Sequence, residues 1–325
     1  MKVLVVGYGS IGKRHVDNLL KYFNTEVIIC TKRIDLKINK KCKVVKTIEL
    51  GIKEKPNVAF VTNVTSNHVN SAIKLAKAGI DVFIEKPLSN SMKDIHILSK
   101  IAKNKKLKIM IGCNFRFHEC IMKIKELLEK NKIGRTIFAR VEWGSYLPDW
   151  HSYEDYKKGY ASRKELGGGV TLTCIHEIDY LHWFFGNVNE VSSFTGKYSD
   201  LKINVDDLSA ILLKFKNNVI AEIHLDHFQK PEFRNCKIVG TKGTIYWDSE
   251  TNEVKLFDKF KNKWIKQLKV KNYKRNDMYV REIEYFLKCV FGKKSIDNDL
   301  NEGVKTLQIA LSAIKSSKTK RVVKI

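Results

Sequence analysis

The chain opens with "KVLVVGYGSIGKRHVDNLLKYF" (residues 2–23), in which a short apolar run, three spaced glycines and an amphipathic stretch follow one another. The run at 2–6 predicts a buried strand, and Gly7, Gly9 and Gly12 form G-x-G-x-x-G where a helix is predicted to begin. In this motif the first glycine permits a tight turn, the second lets the backbone approach a pyrophosphate, and the third allows close helix–sheet packing. The stretch therefore predicts a dinucleotide site at the positive end of a helix.

Apolar strand patterns alternate with helical patterns as far as about residue 118. The predicted strands cover 25–31, 57–63, 81–87 and 107–115, and the predicted helices cover 68–79 and 92–106. This alternation is typical of βαβ units, which build a parallel sheet with helices on both faces. We therefore predict an α/β protein with an N-terminal, doubly wound Rossmann domain over residues 1–118.

The pattern changes after residue 118. An amphipathic helix at 121–133 precedes long strand-like runs at 209–228 and 233–248, each with a turn signal inside it. Hairpin signals of this kind favour antiparallel pairing. We predict a C-terminal α+β domain over residues 119–325 for substrate binding and oligomerisation. It would contain a large, mostly antiparallel open sheet and two closing helices near 277–291 and 299–317.

The charge balance bears on the choice of partner. Sixty Lys and Arg against 35 Asp and Glu give a net charge of +25, and such a basic balance also fits nucleic-acid binding. The lysines are spread along the whole chain, so we favour a solvated surface and predict no nucleic-acid partner. A basic protein also attracts anionic small substrates.

Cysteine spacing and apolar runs exclude other classes of protein. The seven cysteines are an odd number with no C-x-x-C pair, which supports neither a disulfide framework nor a zinc ribbon. The N-terminus lacks the long apolar region of a secretory signal, and no segment reaches the roughly 18 apolar residues of a membrane helix. We predict a cytoplasmic protein with no membrane partner.

The predicted second strand ends in "CTKR" (30–33). An enzyme that uses NAD usually places Asp or Glu here to bind the ribose hydroxyls, but this chain has Thr31, Lys32 and Arg33 and no carboxylate before Asp35. Cations at this point accommodate the 2′-phosphate of NADP. We predict NADP as the preferred cofactor and NAD as the alternative; in a lysine-rich protein these cations also fit a solvated loop.

Another predicted strand ends at Glu85-Lys86-Pro87. The carboxyl ends of parallel strands face the ligand crevice, and the proline biases Lys86 towards an extended backbone, with a cis Lys-Pro bond as one option. An ammonium held there can donate a hydrogen bond to a substrate hydroxyl and stabilise a developing alkoxide. A structural salt bridge is the competing interpretation.

The segment "GGGVTLTCIHEIDYLHW" (167–183) predicts a buried helix after a glycine loop. Thr173, His176, Asp179 and Tyr180 are three to four residues apart, a spacing that places them on one helix face. A histidine oriented by a carboxylate suits removal of an alcohol proton as hydride leaves for a nicotinamide ring, although a lone histidine also fits a buried core position. The zinc motif H-E-x-x-H needs histidine at position 180, so we predict no metal.

Several motifs together resemble the Gfo/Idh/MocA family of NAD(P)-dependent oxidoreductases. They are the glycine motif, the run through Glu-Lys-Pro at 61–87, "IGCNFRF" at 111–117, the "GGG…H..D" segment, and "VGTKGTIYWD" at 239–248. The resemblance is colinear over nearly the whole chain. It implies sugar, sugar-acid, inositol or nucleotide-sugar substrates, and a homodimer or homotetramer that assembles through the C-terminal sheet.

The resemblance also assigns residues by position. Lys86 corresponds to the family's catalytic lysine, His176 to its proton-transfer residue, and Asp179 to the partner of that histidine. The implied cofactor contacts come from the glycine turn and the strand ends: Gly7, Gly9, Ser10, Ile11, Gly12, Thr31, Lys32, Arg33, Thr62, Asn63, His68, Glu85, Lys86 and Asn114. The implied substrate contacts are Arg116, Trp150, Tyr160, Arg163, Thr173 and His176.

The chain departs from the family at one position. Many members carry an aspartate four residues before the catalytic histidine, but this chain has Leu172 followed by Thr173. Its His-Glu-x-Asp signature resembles a sub-branch that acts on nucleotide sugars or acidic amino sugars. Whether Thr173, Glu177 or no residue replaces the missing aspartate is left open.

The loop at 146–169 is dense in aromatic and basic residues. Trp150 and Tyr160 would pack on sugar rings, while Arg163 and Lys164 would meet a carboxylate or phosphate. An ordinary surface loop or a partner contact is the alternative.

The predicted function is that of an NADP(H)- or NAD(H)-dependent oxidoreductase. It would interconvert a secondary alcohol and a ketone on a sugar, in particular a nucleotide sugar or an acidic amino sugar. The alternative from another class is a non-catalytic NAD(P)-binding sensor or scaffold.

Overall fold

A computed structural model describes residues 1–33, 38–150, 154–292 and 294–325. The chain divides into two compact units. The first comprises 1–114 with 275–307, and the second comprises 115–274 with 308–325.

The first unit contains a six-stranded parallel sheet and its covering helices. In chain order the elements are β1 (Lys2–Val6), α1 (Ser10–Tyr22), β2 (Glu26–Cys30), β3 (Cys42–Val45), α2 (Ile48–Lys53), β4 (Val58–Val61), α3 (His68–Lys77), β5 (Asp81–Glu85), α4 (Ile95–Lys105) and β6 (Ile109–Gly112). The sheet order is β3-β2-β1-β4-β5-β6, and every pairing is parallel. The predicted Rossmann fold is confirmed, and the strand order reverses between β1 and β4, where such sheets bind ligands.

The second unit contains a nine-stranded sheet. The remaining elements of the chain are, in order, α5 (Glu119–Glu129), β7 (Thr136–Gly144), α6 (Val170–Thr173), α7 (His176–Phe185), β8 (Val188–Gly196), β9 (Leu208–Phe215), β10 (Ile220–Asp226), β11 (Phe233–Gly240), β12 (Gly243–Asp248), β13 (Glu253–Asp258), β14 (Lys263–Lys269), α8 (Arg275–Phe291), α9 (Leu300–Thr319) and β15 (Val323–Lys324). Helix α8 and the start of α9 belong to the first unit, and the other elements belong to the second. The order is β14-β13-β12-β11-β7-β10-β9-β8-β15. Only β7 and β10 pair in parallel, so the predicted, mostly antiparallel sheet is confirmed.

The side chains of this sheet alternate between a buried and an open face. On β7, Ala139 and Val141 are fully buried, whereas Arg140 between them is exposed. Period-two alternation of this kind is what a sheet covered on one side requires.

Residues 275–307 belong to the first compact unit, whereas the sequence pattern places them in the predicted second domain. In the structure Phe286 of α8 contacts Phe60 and Phe83 of the parallel sheet, with ring centroids 5.6 and 5.7 Å apart. All three rings are fully buried, so α8 completes the core of the first unit. Spacing along the chain does not reveal which of two sheets a terminal helix covers.

Within the described ranges, none of the helices combines the length and apolar character needed to cross a bilayer.

Candidate active site

The glycine turn between β1 and α1 has the geometry of a dinucleotide cradle. A Cβ on Gly12 would lie 2.3 Å from the Gly7 carbonyl oxygen and 2.8 Å from Thr62 Oγ1, so only glycine allows the helix to start so close to the strand. A Cβ on Gly9 would meet nothing within 4 Å, which leaves its outer side open to an approaching phosphate. These residues fit an NAD(P) pyrophosphate at the start of α1, with Ser10 and Ile11 as its first helical residues.

The end of β2 brings a cation beside this turn. Arg33 Nη1 donates to the Tyr8 carbonyl oxygen at 3.3 Å, and the Arg33 backbone N–H donates to Thr31 Oγ1 at 3.2 Å. Both Lys32 and Arg33 are exposed. The guanidinium is thus tied to the glycine turn, while Asp35 lies outside the described residues.

A buried pair of side chains joins α1 to the turn formed by Glu85, Lys86 and Pro87. His15 of α1 places Nε2 2.6 Å from Glu85 Oε1 at the end of β5, and its ring is surrounded by Phe60, Phe83 and Tyr279. The other Glu85 oxygen accepts a 3.2 Å hydrogen bond from the Lys86 backbone N–H. Sequence reasoning missed His15; its place three residues after Gly12, on the buried face of α1, is the signal that could have found it.

His68 supports the same turn from the opposite side. Its Nδ1 lies 2.8 Å from the Pro87 carbonyl oxygen and its Nε2 lies 2.9 Å from the Asn63 carbonyl oxygen. Burial lowers the pKa of this imidazole below its ordinary value, and the two carbonyl oxygens oppose that shift. The Lys86-Pro87 bond is cis. The structure therefore gives His68 a positioning contact, and its contact with a cofactor stays a prediction.

Asn63 and Asn114 complete the predicted strand-end residues of the first unit. Asn63 follows β4 and donates from Nδ2 to Ser71 Oγ at 2.8 Å, and Thr62 beside it donates from Oγ1 to the Gly7 carbonyl oxygen at 2.9 Å. Asn114 follows β6 and is buried. The first unit thus collects the predicted cofactor residues at the carboxyl ends of β1, β2, β4, β5 and β6.

The triple glycine of the second unit makes room for a helix cap. Gly169 has φ +107°, and a Cβ there would lie 2.2 Å from Asp206 Oδ1. The second oxygen, Oδ2, accepts from the Thr171 backbone N–H at 2.8 Å and from Thr171 Oγ1 at 2.7 Å. Burial raises the pKa of the Asp206 carboxyl. The glycine therefore allows this carboxylate to cap the start of α6.

The predicted single helix over this segment is wrong, because it consists of α6 and α7. The backbone leaves the helical region at Cys174, with φ −105° and ψ 35°, and α7 begins at His176. Thr173 therefore ends one helix and His176 begins the next, so the helical spacing does not place Thr173 on the face of His176. Thr173, Cys174 and His176 are all buried.

Asp179 forms a two-pronged ion pair with Arg116. Arg116 Nε donates to Asp179 Oδ2 and Arg116 Nη2 donates to Asp179 Oδ1, both at 2.8 Å, and the two side chains are 4% and 2% exposed. We expected Asp179 to orient His176 and Arg116 to contact substrate. The structure instead gives each of them a strong partner in the other, and those two roles stay predictions.

A second buried ion pair lies beside His176. Arg234 Nε is 2.8 Å from Glu177 Oε1, and the guanidinium lies 3.9 Å from the ring centroid of Phe115. The imidazole of His176 lies 4.9 Å from the same ring. His176 and the Arg234 guanidinium therefore both pack against the Phe115 ring, and Glu177, one candidate for the missing aspartate, is paired with Arg234.

Two predicted substrate contacts in the 146–169 loop, Trp150 and Tyr160, pack inwards. Trp150 and Tyr160 lie against a small core of Leu147, Ala161 and Leu201, and Trp150 Nε1 donates to Ser145 Oγ at 3.1 Å. Arg163 stays exposed and pairs with Glu165. His151 in the same loop lies outside the described residues. In the described part of the chain, no group of three His, Cys, Asp or Glu side chains could hold a metal ion.

The sequence is similar to known oxidoreductases over both units. Residues 1–113 match the family described as oxidoreductases with an NAD-binding Rossmann fold, and residues 121–246 match the GFO/IDH/MocA C-terminal domain. The myo-inositol 2-dehydrogenase of Thermotoga maritima is 26% identical, covering 100% of this chain and 98% of that protein. The levoglucosan dehydrogenase of Pseudarthrobacter phenanthrenivorans is 22% identical over 62% of this chain and 58% of that protein.

Solved structures share the fold over the whole chain. Levoglucosan dehydrogenase in complex with NADH superposes with a TM-score of 0.88 at 16% identity, covering 100% of this chain and 99% of the other. GenD2 from gentamicin A biosynthesis, in complex with NAD, superposes with a TM-score of 0.84 at 20% identity, covering 100% and 96%.

Proposed function

Because the chain belongs to the Gfo/Idh/MocA family of oxidoreductases, we propose that it interconverts a secondary alcohol and a ketone on a sugar. The observation that carries the proposal is the His15–Glu85 pair, which ties the cofactor helix to the turn that bears Lys86. A scaffold built only to bind a dinucleotide has no need of a lysine fixed at that strand end. Within the sugars we propose a nucleotide sugar or an acidic amino sugar, because of the His-Glu-x-Asp signature.

The proposed chemistry divides between two side chains. Lys86 donates a hydrogen bond to the substrate oxygen and stabilises its developing negative charge. His176 accepts the hydroxyl proton on oxidation and returns it on reduction. The nicotinamide ring, when bound, accepts or supplies the hydride.

A turnover assay tests this proposal against the sensor alternative. Purified protein is mixed with NADP⁺ or NAD⁺ and a panel of inositols, neutral sugars, uronic acids and nucleotide sugars, and absorbance at 340 nm is recorded. We expect the absorbance to rise with at least one sugar. A protein that binds NADPH in a fluorescence titration but turns over no sugar of the panel in either direction is a sensor or scaffold.

We propose NADP rather than NAD as the preferred cofactor, because Lys32 and Arg33 stand where a ribose-binding carboxylate is usual. Removing both cations in Lys32→Ala/Arg33→Ala is expected to raise KM for NADPH about tenfold or more, since each cation interacts with the phosphate. The KM for NADH should change less than about twofold. The matched control is Lys100→Ala, which removes an exposed lysine from α4; a wild-type preference for NADH overturns the assignment.

We also propose that the open face of the sheet joins copies of this chain into a dimer or tetramer. On that face Phe194 of β8 is 75% exposed and Leu212 of β9 is 51% exposed. Exposed apolar side chains on a broad sheet are typical of an interface. Sedimentation velocity measures the assembly, and a monomer at micromolar concentration contradicts the proposal.

A further inference from the structure

A basic cavity of about 500 Å³ lies in the second unit, between the segment 157–163 and the segment 197–204. Its volume is that of a small-ligand site. Lys157 and Arg163 line it from the first segment, and Lys197 and Lys202 line it from the second. The only carboxylate among the described lining residues is Asp200, so the cavity presents an excess of positive charge.

The nearest other acids are already engaged. Glu165 pairs with Arg163, with Oε1 2.6 Å from the guanidinium Nε. Asp207 is buried, and its oxygens accept from the Tyr198 N–H at 2.7 Å, the Ser199 N–H at 3.1 Å and Ser199 Oγ at 2.6 Å. Lys197 Nζ donates to the Ser199 carbonyl oxygen at 2.5 Å and stands 4.0 Å from Asp207 Oδ2. Because an ammonium has three N–H donors, Lys197 keeps donors for a ligand, and Lys202 also lines the cavity.

The two walls of the cavity are tied to each other. The Lys202 backbone N–H donates to Tyr156 Oη at 3.2 Å, and the Lys164 backbone N–H donates to Asn204 Oδ1 at 2.8 Å. Leu201 of one wall and Ala161 of the other are buried in the same small core. The two segments that carry the cations are thus bonded to each other, and this rigidity lowers the entropic cost of holding the cations around an anion.

Backbone hydrogen bonds also connect the segment 157–163 to the glycines before α6. The Gly168 N–H donates to the Arg163 carbonyl oxygen and the Gly169 N–H donates to the Ala161 carbonyl oxygen, both at 3.0 Å. These glycines directly precede α6. Two residues separate the end of α6 from α7, which begins at His176. One wall of the cavity is therefore hydrogen-bonded to the glycines that precede α6, the helix before the one that begins with His176.

We propose that this cavity binds the anionic group, a carboxylate or a phosphate, of a sugar substrate. Lysine and arginine are the side chains that pair with such oxygens. The inference rests on the proposed function for the identity of the ligand as a substrate, and it adds Lys157, Lys197 and Lys202 as specificity residues.

Binding without cofactor tests the cavity separately from turnover. Glucuronate, glucose 6-phosphate, inorganic phosphate and glucose are titrated into the full chain by isothermal calorimetry. We expect an anionic sugar to bind more tightly than both glucose and free phosphate, and Lys197→Ala/Lys202→Ala to weaken its binding about tenfold. The control Lys132→Ala/Lys216→Ala removes the same charge from exposed positions of the same unit and should bind as wild type.

The outcomes separate the two proposals. Equal affinity for glucose, equal affinity for inorganic phosphate, or unchanged binding in the cavity variant each overturns the anionic-sugar site. If an anionic sugar binds but no sugar is turned over at 340 nm, the site stands and the dehydrogenase function fails. Circular dichroism of both double variants confirms that exposed lysines were removed without loss of the fold.

Discussion

Lys86→Ala is expected to lower kcat about 100- to 1,000-fold, the usual loss when one donor to a developing oxyanion is removed. The affinity for NADPH should stay within about twofold of wild type, because the glycine turn that we propose as the pyrophosphate site is built by other residues. Steady-state absorbance at 340 nm measures the first quantity, and a fluorescence titration with NADPH measures the second.

The control for this variant is Lys93→Ala, which removes an exposed lysine seven residues further along the same segment and should leave kcat unchanged. Lys86→Arg keeps the positive charge but alters the donor geometry, so we expect a partial loss. Wild-type turnover in Lys86→Ala contradicts the catalytic assignment. A parallel loss of NADPH binding would make Lys86 a cofactor contact instead.

The architecture of each unit could be predicted because it follows from local pattern. The apolar run at β1, the spacing of Gly7, Gly9 and Gly12, and the strand–helix alternation are visible within short windows of sequence. The edge strand β3 and helix α2 were missed, because an edge strand buries little: Val44 of β3 is 44% exposed. A weak periodicity is the physical consequence of a weakly buried element.

The contacts inside the site could not be predicted, because they join residues far apart in the chain. His15 and Glu85 are 70 residues apart, and Arg116 and Asp179 are 63 residues apart. Sequence spacing identified Asp179 as chemically important but assigned it the neighbour three residues away. The break at Cys174 and the cap that Asp206 supplies to the start of α6 were also missed; the cap joins residues 35 positions apart, which a local pattern does not reveal.

Asp179→Ala is expected to lower the free energy of unfolding by about 3–5 kcal/mol, because it leaves the Arg116 guanidinium buried without its carboxylate. The exposed pair Lys214–Glu190, in which the two side chains are 44% and 31% exposed, supplies the control. Glu190→Ala should cost no more than about 1 kcal/mol. Urea denaturation followed by circular dichroism measures both changes.

The variant Arg116→Met/Asp179→Leu then separates stability from orientation of the histidine. Replacing both residues with apolar side chains removes the two buried charges together, so most of the lost stability should return. If Asp179 also orients His176, the pH dependence of kcat/KM shifts in this stable variant, because the imidazole has lost its carboxylate. The pH profile decides rather than the turnover, since Arg116 is itself a predicted substrate contact. Recovery of both stability and the wild-type pH profile would mean that Asp179 serves only to hold Arg116, and that His176 is oriented by its packing against Phe115 and its neighbours.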